Sequence, residues 1–180
     1  MVWLKDRREV PLTELPPVVA GYPDYGRLVD PAPLRSLACH LVDPHRDRRG
    51  WTVVQAAALF DYVKRNVVYD YWKRDDIQHR EPTTIYRPTY TLELGRGICS
   101  DQAVLLASLF AAVFIPCTLV VADTLLGPHL LTALPVGRLV ASQLADAVRF
   151  ARGRCSTPIV PWVFHDVGVP ATFADTAAGQ

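Results

Sequence analysis

The sequence has almost no net charge. Nineteen lysines and arginines face eighteen aspartates and glutamates, a formal charge of +1 in 180 residues. A chain so balanced projects no broad field that would gather nucleic acid or an acidic membrane surface, so neither is expected as a partner. Cysteine is sparse as well: Cys39, Cys99, Cys117 and Cys155 are far apart and form no CxxC pair. That spacing excludes the usual zinc arrangements, and four cysteines in a chain of this length are not a disulfide scaffold. Free thiols are expected, with no metal and no other cofactor.

Long hydrophobic runs are also missing. The longest, 103–122, contains Ser108 and Thr118 and is split by Pro116 into pieces too short to span a bilayer. Charged residues interrupt 1–8 where a secretory signal would be apolar, so the expected location is cytoplasmic. No glycine loop has the GxxxxGK[ST] spacing that cradles nucleotide phosphates, and no internal repeat or low-complexity tract is present.

What remains is a chain half of whose residues are hydrophobic, of a length that suits one core and one domain. Residues 1–50 hold Pro11, Pro16, Pro17, Pro23, Pro31, Pro33 and Pro44, which remove backbone donors and block long helices. They are expected to form an extended Pro-rich N-terminal segment, with the folded domain at 51–180. The spacing of Val53, Val54, Ala57, Ala58, Phe60 and Val63 predicts a core-facing helix over 51–68. The polar, aromatic stretch 69–89, with Lys73-Arg74-Asp75-Asp76 inside it, is expected to be a long surface loop.

Residues 100–114 predict a second helix, stopped by Pro116 because proline disfavours helical geometry in the residue before it. Short β-prone or apolar runs at 117–122 and 129–136, separated by a turn, predict two strands. An amphipathic helix is expected over 139–151, and further strands near 159–164 and 171–174. The fold class is therefore α+β.

Chemistry concentrates where Gly95 and Gly97 lead into Cys99, which opens the 100–114 helix. A thiol at a helix N-terminus meets unpaired N–H groups and the positive end of the helix dipole, and both stabilise a thiolate. The glycines allow a sharp entry and leave room for a substrate backbone. His129, at the start of the second strand, is the candidate base that takes the thiol proton. A third group should orient that imidazole. The carboxylates beside the late strands are Asp175, which is preferred, and Asp166.

The order Thr91-Leu92, Gly95, Gly97, Cys99, Asp101, Ala103, Leu109 and Ile115-Pro116 resembles the cysteine motif of the transglutaminase-like superfamily. His129 falls on that family's histidine motif, and Asp175-Thr176 more loosely on its aspartate motif. The resemblance runs from about residue 51 to 176. It implies a papain-like core in which the cysteine-bearing helix packs on an antiparallel β-sheet. It also implies acyl transfer from a protein, peptide or glutamine-type amide through a thioester, resolved by water or an amine. The sequence departs from the family in having Leu130-Leu131 where an aromatic residue commonly follows the histidine. The interval from His129 to either aspartate is also longer, by about the 139–151 helix, and the chain stops soon after Asp175.

Several other residues have plainer expectations. Cys39, Cys117 and Cys155 are expected to be inert core thiols. Asp101 is expected to bind helix N–H groups or a neighbouring loop rather than substrate, and Arg96 to be a solvated loop arginine. His165, beside Asp166 on a strand, points to the opposite face and forms no dyad. Trp51, Tyr69, Tyr71, Trp72, Tyr86 and Tyr90 are expected in core or interface packing rather than a cleft. The alternative to an enzyme is a non-catalytic transglutaminase-like fold that serves as a structural or protein-binding module in a larger assembly.

Overall fold

The computed structural model describes residues 2–3, 9–10, 17–20, 24–43, 52–79, 84–124, 127–135 and 171–174. Within them the chain is a mixed helix-and-small-sheet fold. At its start β1 (Val2–Trp3) pairs with β2 (Glu9–Val10), and β3 (Val18–Ala20) follows. Two short 3-10 turns, Tyr25–Leu28 and Ala32–Leu34, lead into α1 (Arg35–Val42). The expected extended segment is thus helical at its end. Pro33 lies in the turn ahead of α1, where it needs no helical donor, and no proline interrupts 35–42. Leu34, Ala38 and Val42 join the same core as the two long helices, so this part of the first fifty residues is built into the domain.

The first long helix, α2 (Val53–Asn66), begins with a capping box. Thr52 Oγ1 accepts the Gln55 N–H at 3.2 Å while Gln55 Oε1 accepts the Thr52 N–H at 2.9 Å, an arrangement worth about 1 kcal/mol. Its apolar stripe, Ala56, Leu59, Phe60 and Val63, is buried in the core. Beyond it come β4 (Val68–Tyr69), α3 (Tyr71–His79) and β5 (Thr84–Tyr86), the last antiparallel to β3. The expected loop over 69–89 therefore contains a helix, capped where Asp70 Oδ1 accepts the Lys73 N–H at 3.0 Å.

Next, α4 (Pro88–Leu94) and β6 (Arg96–Gly97) precede α5 (Cys99–Ala112), and β6 runs parallel to β4. Every residue from Asp101 to Phe110 is buried. A helix buried all round must be the centre of its domain. Leu105, Leu106, Leu109 and Phe110 of α5 share one cluster with α1 and α2, each contributing roughly 1.5–3 kcal/mol by burial.

The helix ends in a Schellman motif. The Ile115 N–H reaches Phe110 O at 2.9 Å and the Phe114 N–H reaches Ala111 O at 3.2 Å. Phe114 takes the left-handed position, at φ 60°, that glycine usually fills.

Last come β7 (Thr118–Thr124), β8 (Gly127–Pro135) and β9 (Ala171–Ala174), an antiparallel sheet in the order β7-β8-β9. The two strands expected around the 123–128 turn and the strand at 171–174 are present. The helix expected over 139–151 and the strand over 159–164 lie outside the described residues. Among the described residues no helix is long and apolar enough to cross a membrane.

Candidate active site

Cys99 is the first residue of α5, and its thiol is half-buried and in no disulfide. The residue before it, Ile98, has extended geometry and no side-chain acceptor with which to cap the helix. Asp101, in the first turn, supplies the missing acceptor: its Oδ2 takes the Ile98 N–H at 2.9 Å. The helix start is thus held from within, as acidic residues in first turns do. The next N–H groups have no carbonyl a turn earlier to bond, which is the setting an oxyanion needs.

The loop that delivers Cys99 is held on several sides. Gly95, at φ 62°, closes α4 in the left-handed region, its N–H bonded to Thr91 O at 3.0 Å. Gly97 is required for space instead. Its carbonyl accepts the Asp70 N–H at 3.2 Å and Gln102 Nε2 at 3.0 Å, so the loop is tied to the head of α3 and to the second turn of α5.

Asp101 does more than cap. Its Oδ1 accepts the Tyr86 N–H at 2.7 Å, and Lys73 Nζ donates to both oxygens, at 2.7 and 2.6 Å. The Lys73 side chain is 5% exposed and that of Asp101 is fully buried. The same ammonium lies 3.4 Å from the centre of the Tyr86 ring, a cation-π contact strengthened by loss of water. Burial pulls the Lys73 pKa below its ordinary value and pushes that of Asp101 above its own, each opposed by the partner's charge. The short, two-oxygen geometry describes an ion pair. Asp101 thus meets the expectation of binding backbone N–H groups, whereas Lys73 overturns the expectation of a solvated Lys-Arg-Asp-Asp run. Only Arg74, Asp75 and Asp76 are exposed.

His129 lies in β8 opposite Ala122 of β7. That strand is laid against α5 by Thr132 Oγ1, which donates to Ala103 O at 3.1 Å, and by Leu130, which clusters with Ala103 and Val104. Leu131 and Ala133 pack on the other face with Val120. His129 has the parity of Leu131 along a strand whose pairing with β7 is regular from Gly127 onward. The preferred third member, Asp175, follows β9 directly but lies outside the described residues, as do Asp166 and His165. Among the described residues no group of three or more His, Cys, Asp or Glu side chains is placed to hold a metal ion.

Other expectations are met in part. Cys39 is exposed on α1 and so is no core thiol. Cys117 is half-buried, with its pKa raised by burial to about 11. Cys155 and Trp51 lie outside the described residues. Arg96 is exposed, as expected, and its Nε stands 3.5 Å from the buried Asp70 carboxylate. Trp72 is 82% exposed and Tyr71 is exposed beside Tyr69, so these two are not core aromatics. An open cavity of about 1150 Å³ lies toward the C-terminal end of α5, lined by Tyr25, Ala111, Ile115 and Leu119 among others. Its lining includes neither Cys99 nor His129.

Residues 44–132, a stretch that contains both Cys99 and His129, match the family model of the transglutaminase-like superfamily. A crystal structure from Cytophaga hutchinsonii, named as that of a candidate cysteine protease, is similar to the chain at 18% identity and a TM-score of 0.43. The likeness covers 70% of this chain and 41% of that one, so the chain spans less than half the length of that protein. No curated protein matches the chain in sequence. The cysteine loop, the helix it opens and the strand that carries His129 as far as Thr132 fall inside the matched residues, and this stretch of the chain belongs to the transglutaminase-like superfamily.

Proposed function

We propose that this chain is a cysteine-dependent enzyme of acyl transfer, acting on a protein, peptide or glutamine-type amide. The observation that carries it is the half-buried thiol of Cys99, in no disulfide, on the first residue of a helix buried from Asp101 to Phe110 and delivered by a loop pinned at Gly95 and Gly97. The cysteine helix lying on an antiparallel sheet is the frame that the family resemblance implies.

In this reading Cys99 Sγ attacks the amide carbonyl while its proton passes to His129. The C–N bond then breaks, the departing amine takes the proton from His129, and the acyl group remains as a thioester. Water or a second amine attacks the thioester, giving an acid or a new amide, and the thiol is restored. Asp175 orients His129 and stabilises its charged form. The helix N-terminus offers its first N–H groups to the oxyanion. A protein substrate and a cytoplasmic location complete the proposal.

The test is the rate of iodoacetamide labelling against pH, read residue by residue through peptide mass mapping, in the wild type, Cys99→Ala and His129→Ala. Fast labelling of Cys99 below neutral pH, slowed in His129→Ala, is the expected result. Slow labelling at Cys99 with no dependence on His129 would overturn it. The non-catalytic binding module would then stand, with one observation in its favour: Phe114 is 75% exposed and Val121 is exposed, both on the rim of the cavity at the far end of α5.

A further inference from the structure

The ion pair of Lys73 and Asp101 has no part in the chemistry just described, yet it occupies the ground beneath the nucleophile. Asp101 is two residues beyond Cys99 and bonds the N–H of the residue just before it. It is fully buried, and all its described partners are donors: two backbone N–H groups and one ammonium. Only the ammonium brings a full charge. Without it, a buried carboxylate would stand beside a thiol that must become a thiolate, and like charges at that range disfavour each other.

The neighbourhood contains few other charges. Among the described residues, Asp70 and Arg96 face each other at 3.5 Å beside the loop. Tyr86 lies under the ammonium and Tyr90 stacks edge-on against Tyr86. Cys99 itself is close enough for a thiolate there to interact with the Lys73 charge. Lys73 is therefore the one cation among the described residues that holds both oxygens of Asp101.

We propose that Lys73 is a positioning residue for the nucleophile, whose charge cancels that of Asp101 so that the capped start of α5 can host a thiolate at Cys99. The ion pair thereby lets Asp101 fasten α5 to β5 and to the Gly97 loop without an electrostatic penalty at the reacting sulfur. It rests on the reading of Cys99 as the nucleophile.

The experiment is the pH profile of Cys99 alkylation in Lys73→Met, Asp101→Asn and the double variant, with circular dichroism confirming the fold of each. Lys73→Met should slow labelling at pH 7 by roughly tenfold, the effect of one unit in the thiol titration. Adding Asp101→Asn should restore the wild-type profile to within about threefold, because the pair is then absent as a pair. A merely structural role predicts that the second substitution deepens the first, and that outcome, or an unchanged titration in Lys73→Met, overturns the proposal. If Lys73→Met does not fold, Asp101→Asn and the double variant decide the matter. They differ only in the Lys73 charge, and equal rates in the two would refute the role assigned to it. A wild-type Cys99 that titrates as an ordinary thiol counts against the enzyme reading instead, whereas these differences between variants remain measurable.

Discussion

A Cβ on Gly97 would stand 2.7 Å from the Cβ of Asp101 and 3.3 Å from Thr91 Cγ2. Both neighbours are buried and Asp101 is held by four hydrogen bonds, so neither can withdraw at little cost. Gly97→Ala should therefore lower stability by about 1–3 kcal/mol, the usual range for overpacking, and displace Cys99 with it. Urea denaturation gives the first number and alkylation of Cys99 the second. A stability equal to wild type would show that the loop is looser than its contacts imply.

Phe114 supplies a prediction of the opposite sign. It is exposed, and it occupies the left-handed position of the α5 Schellman motif with a side chain that disfavours it. Its ring lies 5.4 Å from the Arg35 guanidinium, a surface contact of small value. Phe114→Gly should raise stability by roughly 0.5–1 kcal/mol, seen as a higher midpoint in thermal unfolding.

Cys117 should be a slow thiol. Burial raises its pKa from 9.0 to about 11, so near neutral pH its thiolate fraction is roughly a hundredfold below that of an unperturbed thiol. Cys39, exposed on α1, is the accessible control in the same digest. The sign for stability follows from the raised value: the folded state keeps this proton longer than the unfolded state does. The contribution is complete below pH 9 and is lost as pH climbs toward 11. Cys117→Ala should flatten that alkaline loss, as read by denaturation at pH 8 and pH 10.5.

Ser108 ties the first fifty residues to the central helix. Its hydroxyl accepts the Asp30 N–H at 3.0 Å and donates to Val104 O at 2.7 Å, both inside the protein. Ser108→Ala leaves the Asp30 N–H without this acceptor and should cost about 1–3 kcal/mol. Native-state hydrogen exchange at Asp30 should accelerate with it, and unchanged protection there would mean another acceptor takes over.

Much of the frame was legible because it is written in local periodicity. The stripe from Val53 to Val63 marks α2, and the apolar run closed by Ile115-Pro116 marks α5 with Cys99 at its head. Gly95 announced a turn and stands at φ 62°. The β7-β8 pair followed from two β-prone or apolar runs around Gly127-Pro128. Proline counting misled over α1, since it sees where helices are blocked and overlooks a proline-free interval such as 35–42. Composition misled over α3, because Lys73-Arg74-Asp75-Asp76 has the look of a solvated run whichever of its members turns inward.

That a cysteine opens the central helix, with glycines before it and a histidine-bearing strand after it, can be read from the chain alone. Each of these depends on neighbours a few positions away, through backbone sterics and side-chain spacing. Long-range packing, by contrast, brings Lys73 to Asp101 across 28 positions and Ser108 to Asp30 across 78. A lysine is buried only when a partner's charge offsets the loss of water, and whether that partner arrives is settled by the packing of α3, β5 and α5 together.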